Sequence, residues 1–325
     1  MIVIRQNEDT IEQGIVATIG FFDGVHVGHR FLIKELQDWG KELNMPSAVI
    51  TFPEHPCQVL HSDYRPKLLD TFQEKMERLE TTGIDYCIAL DFTYELSLYS
   101  AADFIRLLAE EYHVKGLLIG YDHRFGHDRS DGFEQYVEYG GQVGMEVRKA
   151  SPYDEENIRV SSSEIRRLLQ EGKVEMANAL LTYPYQLRGR IVSGYKVGRT
   201  IGFPTANIEV DSPYKLLPKV GVYAVWVELL GKRYNGLGIG FNFTISHAAH
   251  SNGHAVRSAH HHAFHDGLTA DIYFLLFFFF LHEQLLSMGY YITIVPSMGG
   301  SAASFQKKCR LAISNLHFSC SHYMP

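Results

Sequence analysis

His26 and His29 lie three residues apart, with Gly28 between them. At the start of a helix that spacing puts both imidazoles on one side. The first N–H groups of a helix have no partner inside it and make a ready site for an anion such as phosphate. Gly28, lacking a side chain, lets a phosphate approach the backbone there. The surroundings supply such a helix start. The apolar run Gly14 to Phe22 reads as a buried strand, and Asp23-Gly24 as a turn. Phe31, Leu32, Leu36 and Leu43 then recur near a helical period, giving a helix over Arg30–Leu43. Two surface histidines at a helix start would be the bland alternative, and their place between strand and helix weighs against it.

Stepping outward, strands and helices alternate through the first half. Candidate strands are Ile15–Phe21, Ser47–Phe52, Tyr86–Leu90, Val114–Ile119 and Met145–Lys149. Candidate helices are Arg30–Leu43, Thr71–Thr82, Ala101–His113 and Gly132–Tyr139, and Ser100 with Asp103 has N-cap spacing at the third. This alternation argues for an α/β fold with a parallel sheet covered on both faces, whose ligands sit beyond the carboxyl ends of the strands. Three further polar stretches follow in that half. Thr51 to Pro56 holds Phe52 and His55 in a proline-stiffened loop. Gly120 to Gly126 carries Asp122, Arg124 and Phe125, where an Asp122–Arg124 ion pair would be the plain reading. Ser161 and Glu164 have capping-box spacing, and Ser162, Ser163 and Arg166 offer hydroxyls and a planar cation to phosphate oxygens.

Leu168–Leu181 reads as a closing helix pair, and Tyr183-Pro184-Tyr185 as a boundary. Beyond it, short strands with glycine turns suggest a small β-barrel. A chain of 325 residues accommodates two domains, here 1–182 and 183–325. The first should fold alone, because its pattern closes before Tyr183. Hydrophobic content of 46% and charged content of 21% are ordinary for a globular protein. A net charge of −7 gives no case for nucleic acid or an anionic membrane as partner. Met1 to Thr10 has no signal-peptide core, and Ile272–Leu281 is too short to span a bilayer. Cys57, Cys87, Cys309 and Cys320 form no Cys-x-x-Cys pair and read as free thiols in a reducing cytoplasm.

Gly20-Phe21-Phe22-Asp23-Gly24-Val25-His26-Val27-Gly28-His29 resembles the nucleotide-binding signature of bacterial bifunctional riboflavin kinase/FAD synthetases. By fold these are His-x-Gly-His nucleotidylyltransferases. The resemblance implies a Rossmann-like transferase domain followed by a small riboflavin-kinase-type β-barrel. It implies His26, His29 and Arg166 as catalytic residues. Gly20, Phe21, Phe22, Asp23, Gly28, Ser162 and Ser163 would bind the nucleotide, within a Ser-Ser-Ser-x-Ile-Arg version of the family's second motif. Phe52, His55, Asp122, Arg124 and Phe125 would bind flavin, whose isoalloxazine ring needs a flat apolar contact and a few polar anchors. His123 stands where the family more often has Phe. Gly202-Phe203-Pro204-Thr205-Ala206-Asn207 matches the family's kinase signature. It implies that Gly198, Gly202, Pro204, Thr205 and Asn207 bind ATP, with Thr205 and Asn207 as hard oxygen ligands to Mg²⁺.

The implied activities are phosphorylation of riboflavin and adenylylation of FMN, with ATP, riboflavin and FMN as substrates, in a cytoplasmic monomer or weak oligomer. The resemblance fades after about residue 240. Gly238 and Phe243 replace an expected Asn and Pro, and no Glu occurs between Glu228 and Glu283 to serve as the implied base on the riboflavin 5′-hydroxyl. His262 lies near that place, in a histidine-rich run over 247–265. A zinc site there would want regular spacing or a Cys, so solvated histidines or an altered segment is the reading. Three alternatives stay open: an FMN adenylyltransferase with an impaired kinase, another nucleotidylyltransferase of this fold, and a flavin-binding regulator without turnover.

Overall fold

The computed structural model describes residues 1–5, 11–60, 63, 66–121, 125–126, 131–153, 160–192, 205–229, 232–244, 270–278 and 291–296. Asp122, Arg124, Gly198, Gly202, Pro204 and the histidine-rich run with His262 lie outside the described residues. By contact the chain divides into two units. The first comprises Met1–Arg166, Leu180–Thr182 and Tyr214–Leu216, and the second the remainder.

The first unit is built on a six-stranded sheet. Its strands are β1 (Ile2–Arg5), β2 (Ile15–Ile19), β3 (Ser47–Thr51), β4 (Tyr86–Ala89), β5 (Val114–Ile119) and β6 (Glu146–Lys149). They run in the order β1-β4-β3-β2-β5-β6, all parallel, as in a Rossmann-like domain. Helices α1 (Val27–Leu43), α2 (Pro56–Leu60), α3 (Phe72–Glu80), α4 (Tyr94–Ser97), α5 (Ala101–Glu111) and α6 (Phe133–Gln142) connect them. Strands buried on both faces read as continuous apolar runs, and β2 does so with every residue buried. Its Ile15, Ala17 and Ile19 pack with Phe104, Ile105 and Leu108 of α5. Val16 packs the other way, with Ile33, Leu36 and Trp39 of α1.

Local chemistry sets the helix ends. Ser100 caps α5: its Oγ accepts from Asp103 N at 3.1 Å and donates to Asp103 Oδ2 at 2.6 Å, as its spacing predicts. Thr71 and Glu74 form a capping box on α3, which satisfies two of its open N–H groups. Two expectations need correction. Helix α1 begins at Val27, not Arg30, because His26 caps it and brings the weak helix formers Val27 and Gly28 into the first turn. The segment after β3 is not wholly a proline loop: Pro56 opens the short α2, at the first helical position, where its missing N–H costs nothing.

After β6 come α7 (Ser162–Glu171) and α8 (Val174–Leu181), the helix pair expected over Leu168–Leu181, with α7 starting earlier because Ser161 caps it by accepting from Glu164 N. In the second unit β7 (Leu187–Val192), β8 (Thr205–Val210), β9 (Val222–Leu229), β10 (Lys232–Thr244), β11 (Ala270–Phe278) and β12 (Tyr291–Pro296) pair antiparallel. The order β10-β11-β8-β7-β12-β9 closes a barrel. The Phe-rich strand β11, an aggregation hazard as an open edge, is paired on both sides, by β10 and β8.

Candidate active site

Beyond β2 the chain stays on the sheet for one residue, Gly20 N donating to Ile50 O at 3.0 Å, and then turns sharply. Phe22 (φ 54°), Gly24 (φ 81°) and Val25 (φ 35°) all sit in the left-handed region. For Val25, which is β-branched, this is strained backbone of the kind that persists at functional sites when the surroundings over-determine it. Phe22 and Val25 are anchored in the apolar layer under α1. At Gly24 a Cβ would stand 2.7 Å from Leu69 Cδ1, so both space and conformation require glycine.

Asp23 holds this turn in place. Its buried carboxylate accepts from Leu69 N at 2.9 Å and Asp70 N at 3.1 Å, and pairs with Arg166 Nη2 at 2.6 Å. Ser162 Oγ donates to the Asp23 carbonyl at 2.9 Å. Asp23, expected at the nucleotide, thus has its carboxylate taken up by protein donors. It brings Ser162 and Arg166, from the first turns of α7, to the start of α1. Ser163 at the same helix start is exposed.

The two histidines stack, centroids 3.7 Å apart and planes 16° from parallel. His26 Nδ1 accepts from His29 N at 3.4 Å as the N-cap, which leaves Nε2 to carry the ring proton. A Cβ at Gly28 would press on the His26 ring, 3.3 Å from Cε1. Burial, then Arg166, lowers the His26 pKa to about 4. Burial, then His26 and Lys75, holds His29 well below the ordinary histidine range. The stack is therefore neutral at pH 7, which is what lets two imidazoles touch. His29 Nδ1 and Arg166 Nε are buried and have no hydrogen-bond partner among the described residues, so both can take a partner from water or a bound molecule.

Phe21 joins this centre to the loop after β3. Its ring meets His55 edge-on at 4.7 Å and is covered by the Lys75 ammonium at 4.1 Å. Burial, then Arg166, lowers the His55 pKa. Phe52, 9% exposed, turns into the core and meets Phe92 edge-on at 5.4 Å. Phe125 stacks on Tyr136 at 4.4 Å, lies 5.5 Å from the Phe104 ring and shares the Phe52 cluster. In the second unit Thr205 and Asn207 both lie on β8.

The sequence did not single out Lys75 or a buried ion cluster beneath the turn. Lys215 Nζ lies 2.7 Å from Glu74 Oε2, 3.7 Å from Asp70 Oδ1 and 2.5 Å from Leu69 O. Burial raises the Asp70 pKa to about 6, against the pull of Lys215. One signal was available: Lys75 falls one turn before Leu79, on the face of α3 that must be buried.

Two family models match the chain, FAD synthetase over residues 8–164 and riboflavin kinase over 181–284. The second match runs past residue 240, where the motifs fade. The chain is 37% identical over 223 residues to the bifunctional riboflavin kinase/FMN adenylyltransferase of Escherichia coli strain K12, covering 68% of this chain and 71% of that protein. It is 36% identical over 231 residues to the protein of that name from Listeria monocytogenes, covering 70% and 73%. It is 36% identical over 233 residues to the one from Haemophilus influenzae, covering 71% and 75%. A crystal structure of a macrolide-efflux protein from Streptococcus pneumoniae shares the fold, with TM-score 0.75 and 24% identity over 96% of this chain and 97% of that one.

Proposed function

The chain belongs to the bifunctional riboflavin kinase/FMN adenylyltransferase family, and from that premise we propose how its residues divide the work. It phosphorylates riboflavin from ATP to give FMN, and transfers AMP from ATP to FMN to give FAD and pyrophosphate. Both family models match, so the reading of a transferase with an impaired kinase is set aside. Matches ending at 164 and beginning at 181 support a transferase domain in 1–182 and a kinase domain, a riboflavin-kinase-type barrel, in 183–325.

The observation that carries the site assignment is the neutral His26–His29 stack at the start of α1, with Arg166 brought to it through Asp23. In adenylyl transfer an FMN phosphate oxygen attacks the α-phosphorus of ATP, and the bond to the β-phosphate breaks. The nucleophile is already an anion, so catalysis is positioning and charge stabilisation. His26, from Nε2, and His29 donate to the α-phosphate oxygens as charge builds. Ser162, Ser163 and the guanidinium donors that Arg166 does not spend on Asp23 hold the leaving pyrophosphate at the start of α7. Gly20, Phe21 and Phe22 shape the nucleotide side, and His55 with Phe52 and Phe125 the flavin side, together with Asp122 and Arg124.

Mg²⁺ prefers few protein ligands, completed by phosphates and water. Thr205 and Asn207, a hydroxyl and an amide oxygen two residues apart in β8, fit that demand in the kinase by their chemistry. When bound there, Mg²⁺ supplies charge neutralisation of the ATP phosphates. A cytoplasmic monomer or weak oligomer is part of this proposal. Among the described residues no helix is long and apolar enough to cross a membrane. Incubation with riboflavin, ATP and Mg²⁺, followed by chromatography, tests the whole reading: both FMN and FAD form. FAD from supplied FMN, without FMN from riboflavin, would restore the impaired-kinase reading.

A further inference from the structure

Helix α3 carries a lysine whose ammonium is buried, Lys75 being 3% exposed. Its Nζ donates to Phe21 O at 3.1 Å, Thr51 Oγ1 at 3.2 Å and Phe52 O at 2.8 Å. These acceptors lie on two separate chain segments, the turn after β2 and the end of β3 with its following loop. Thr51 Oγ1 in turn donates to Phe21 O at 3.1 Å, closing a ring of bonds between the segments. An ammonium has three N–H donors. All three are spent, so Lys75 keeps none for a substrate phosphate. Its charge lies 4.1 Å from the centre of the Phe21 ring, and that ring meets His55.

We infer that Lys75 is a positioning residue for FMN adenylylation, clamping the turn that leads into His26 and His29 to the loop that carries Phe52 and His55. This rests on the reading of that site given above. One segment serves the nucleotide and the other the flavin, so the clamp sets the distance between the α-phosphate and the attacking FMN phosphate. A misplacement of about 1 Å between reacting groups can cost on the order of 10²-fold in rate. A residue that only bound ATP would act on KM instead.

The clamp is also sensitive to pH. Burial draws the Lys75 pKa down to about 8, opposed by the carboxylates of Asp23 and Asp70. Of the other groups facing it, His29 and His55 have lowered pKa values and are neutral at that pH, and the Cys87 thiol is pushed up to about 12. Loss of the Lys75 proton removes one of the three donors, so the rate falls as pH rises through that value.

The test uses the full chain as wild type, Lys75→Met and Lys75→Arg. FAD formation from FMN and ATP is followed between about pH 6 and about pH 9, and riboflavin phosphorylation is measured in the same preparations. In Lys75→Met, kcat for FAD formation should fall about 10²-fold with KM for ATP within about threefold, and riboflavin phosphorylation should hold. Lys75→Arg, always charged, should keep at least about a tenth of the rate and lose the alkaline decline. A Lys75→Met kcat within about threefold of wild type overturns the role of Lys75 alone. So does a Lys75→Arg profile that keeps the wild-type decline, which decides the matter if Lys75→Met does not fold. Wild type that makes no FAD overturns the adenylylation assignment, and this role with it.

Discussion

The carboxylate of Asp23 meets the guanidinium of Arg166 at 2.6 Å, across 143 residues of sequence. Through this contact the starts of α1 and α7 face one place. Removing one partner of a buried pair typically costs about 3–5 kcal/mol, because the other is left unpaired. Arg166 keeps a quarter of its side chain exposed, so Asp23→Ala should cost about 3 kcal/mol, the lower end of that range. Adenylylation should fall with it while riboflavin phosphorylation holds. Urea unfolding and the two assays check this, and an unchanged adenylylation rate would deny Asp23 its organising role.

On the proposed mechanism His29→Ala removes one preorganised donor to a developing phosphate charge, a loss typically on the order of 10²–10³ in rate. FAD formation should drop by that order with riboflavin phosphorylation intact. Steady-state rates with FMN and ATP give the answer, and near-wild-type adenylylation would exclude His29 from the reaction.

Histidine protonation should govern acid stability. Burial and Arg166 take the His26 pKa from 6.5 in the free side chain to about 4 in the fold. Between those values the unfolded chain binds a proton that the folded chain does not, so stability is lost as pH falls through this window. The loss should total about 3 kcal/mol. Urea midpoints between about pH 7 and about pH 4 should drop less steeply in His26→Gln than in wild type. Parallel curves for the two proteins would contradict a neutral, buried His26.

Lys215, with 1% of its side chain exposed, supplies the cation for Glu74 and Asp70 in the first unit. Lys215→Met should therefore destabilise that unit by about 3–5 kcal/mol. A fragment of residues 1–182, which lacks Lys215, should be destabilised by a similar amount. Chemical denaturation of both proteins measures this, and full-chain stability in the fragment would show that the carboxylates find other partners.

Much of this is legible in the sequence. The strands β2 to β5 follow from their apolar runs, and the Ser100 cap of α5 from spacing alone. His26, His29, Ser162 and Arg166 do come together, because each follows a strand or opens a helix. Two kinds of feature escaped. β1 is four residues at a sheet edge, with Ile2 57% exposed, too short and too open for a periodic signal. Lys75 and Lys215, and the burial of Asp23, which the sequence placed at the nucleotide, escaped because a charged residue in a single sequence reads as solvated. The burial of Asp23 and Lys215 depends on partners distant along the chain, Arg166 for Asp23 and Glu74 for Lys215. No local pattern encodes such pairs.

The placement of Tyr214–Leu216 in the first unit also bears on the order of events at the ribosome. A chain made from its N-terminus produces β1 to β6 long before Lys215 emerges. Until it does, Glu74 and Asp70 have no Lys215 to face, and their burial is opposed by their own charge. The last stage of closing this unit must therefore wait until β7 and β8 have been synthesised. A pause in translation between Thr182 and Tyr214 would prolong a state with the sheet formed and the ground under the His26 turn still open to water.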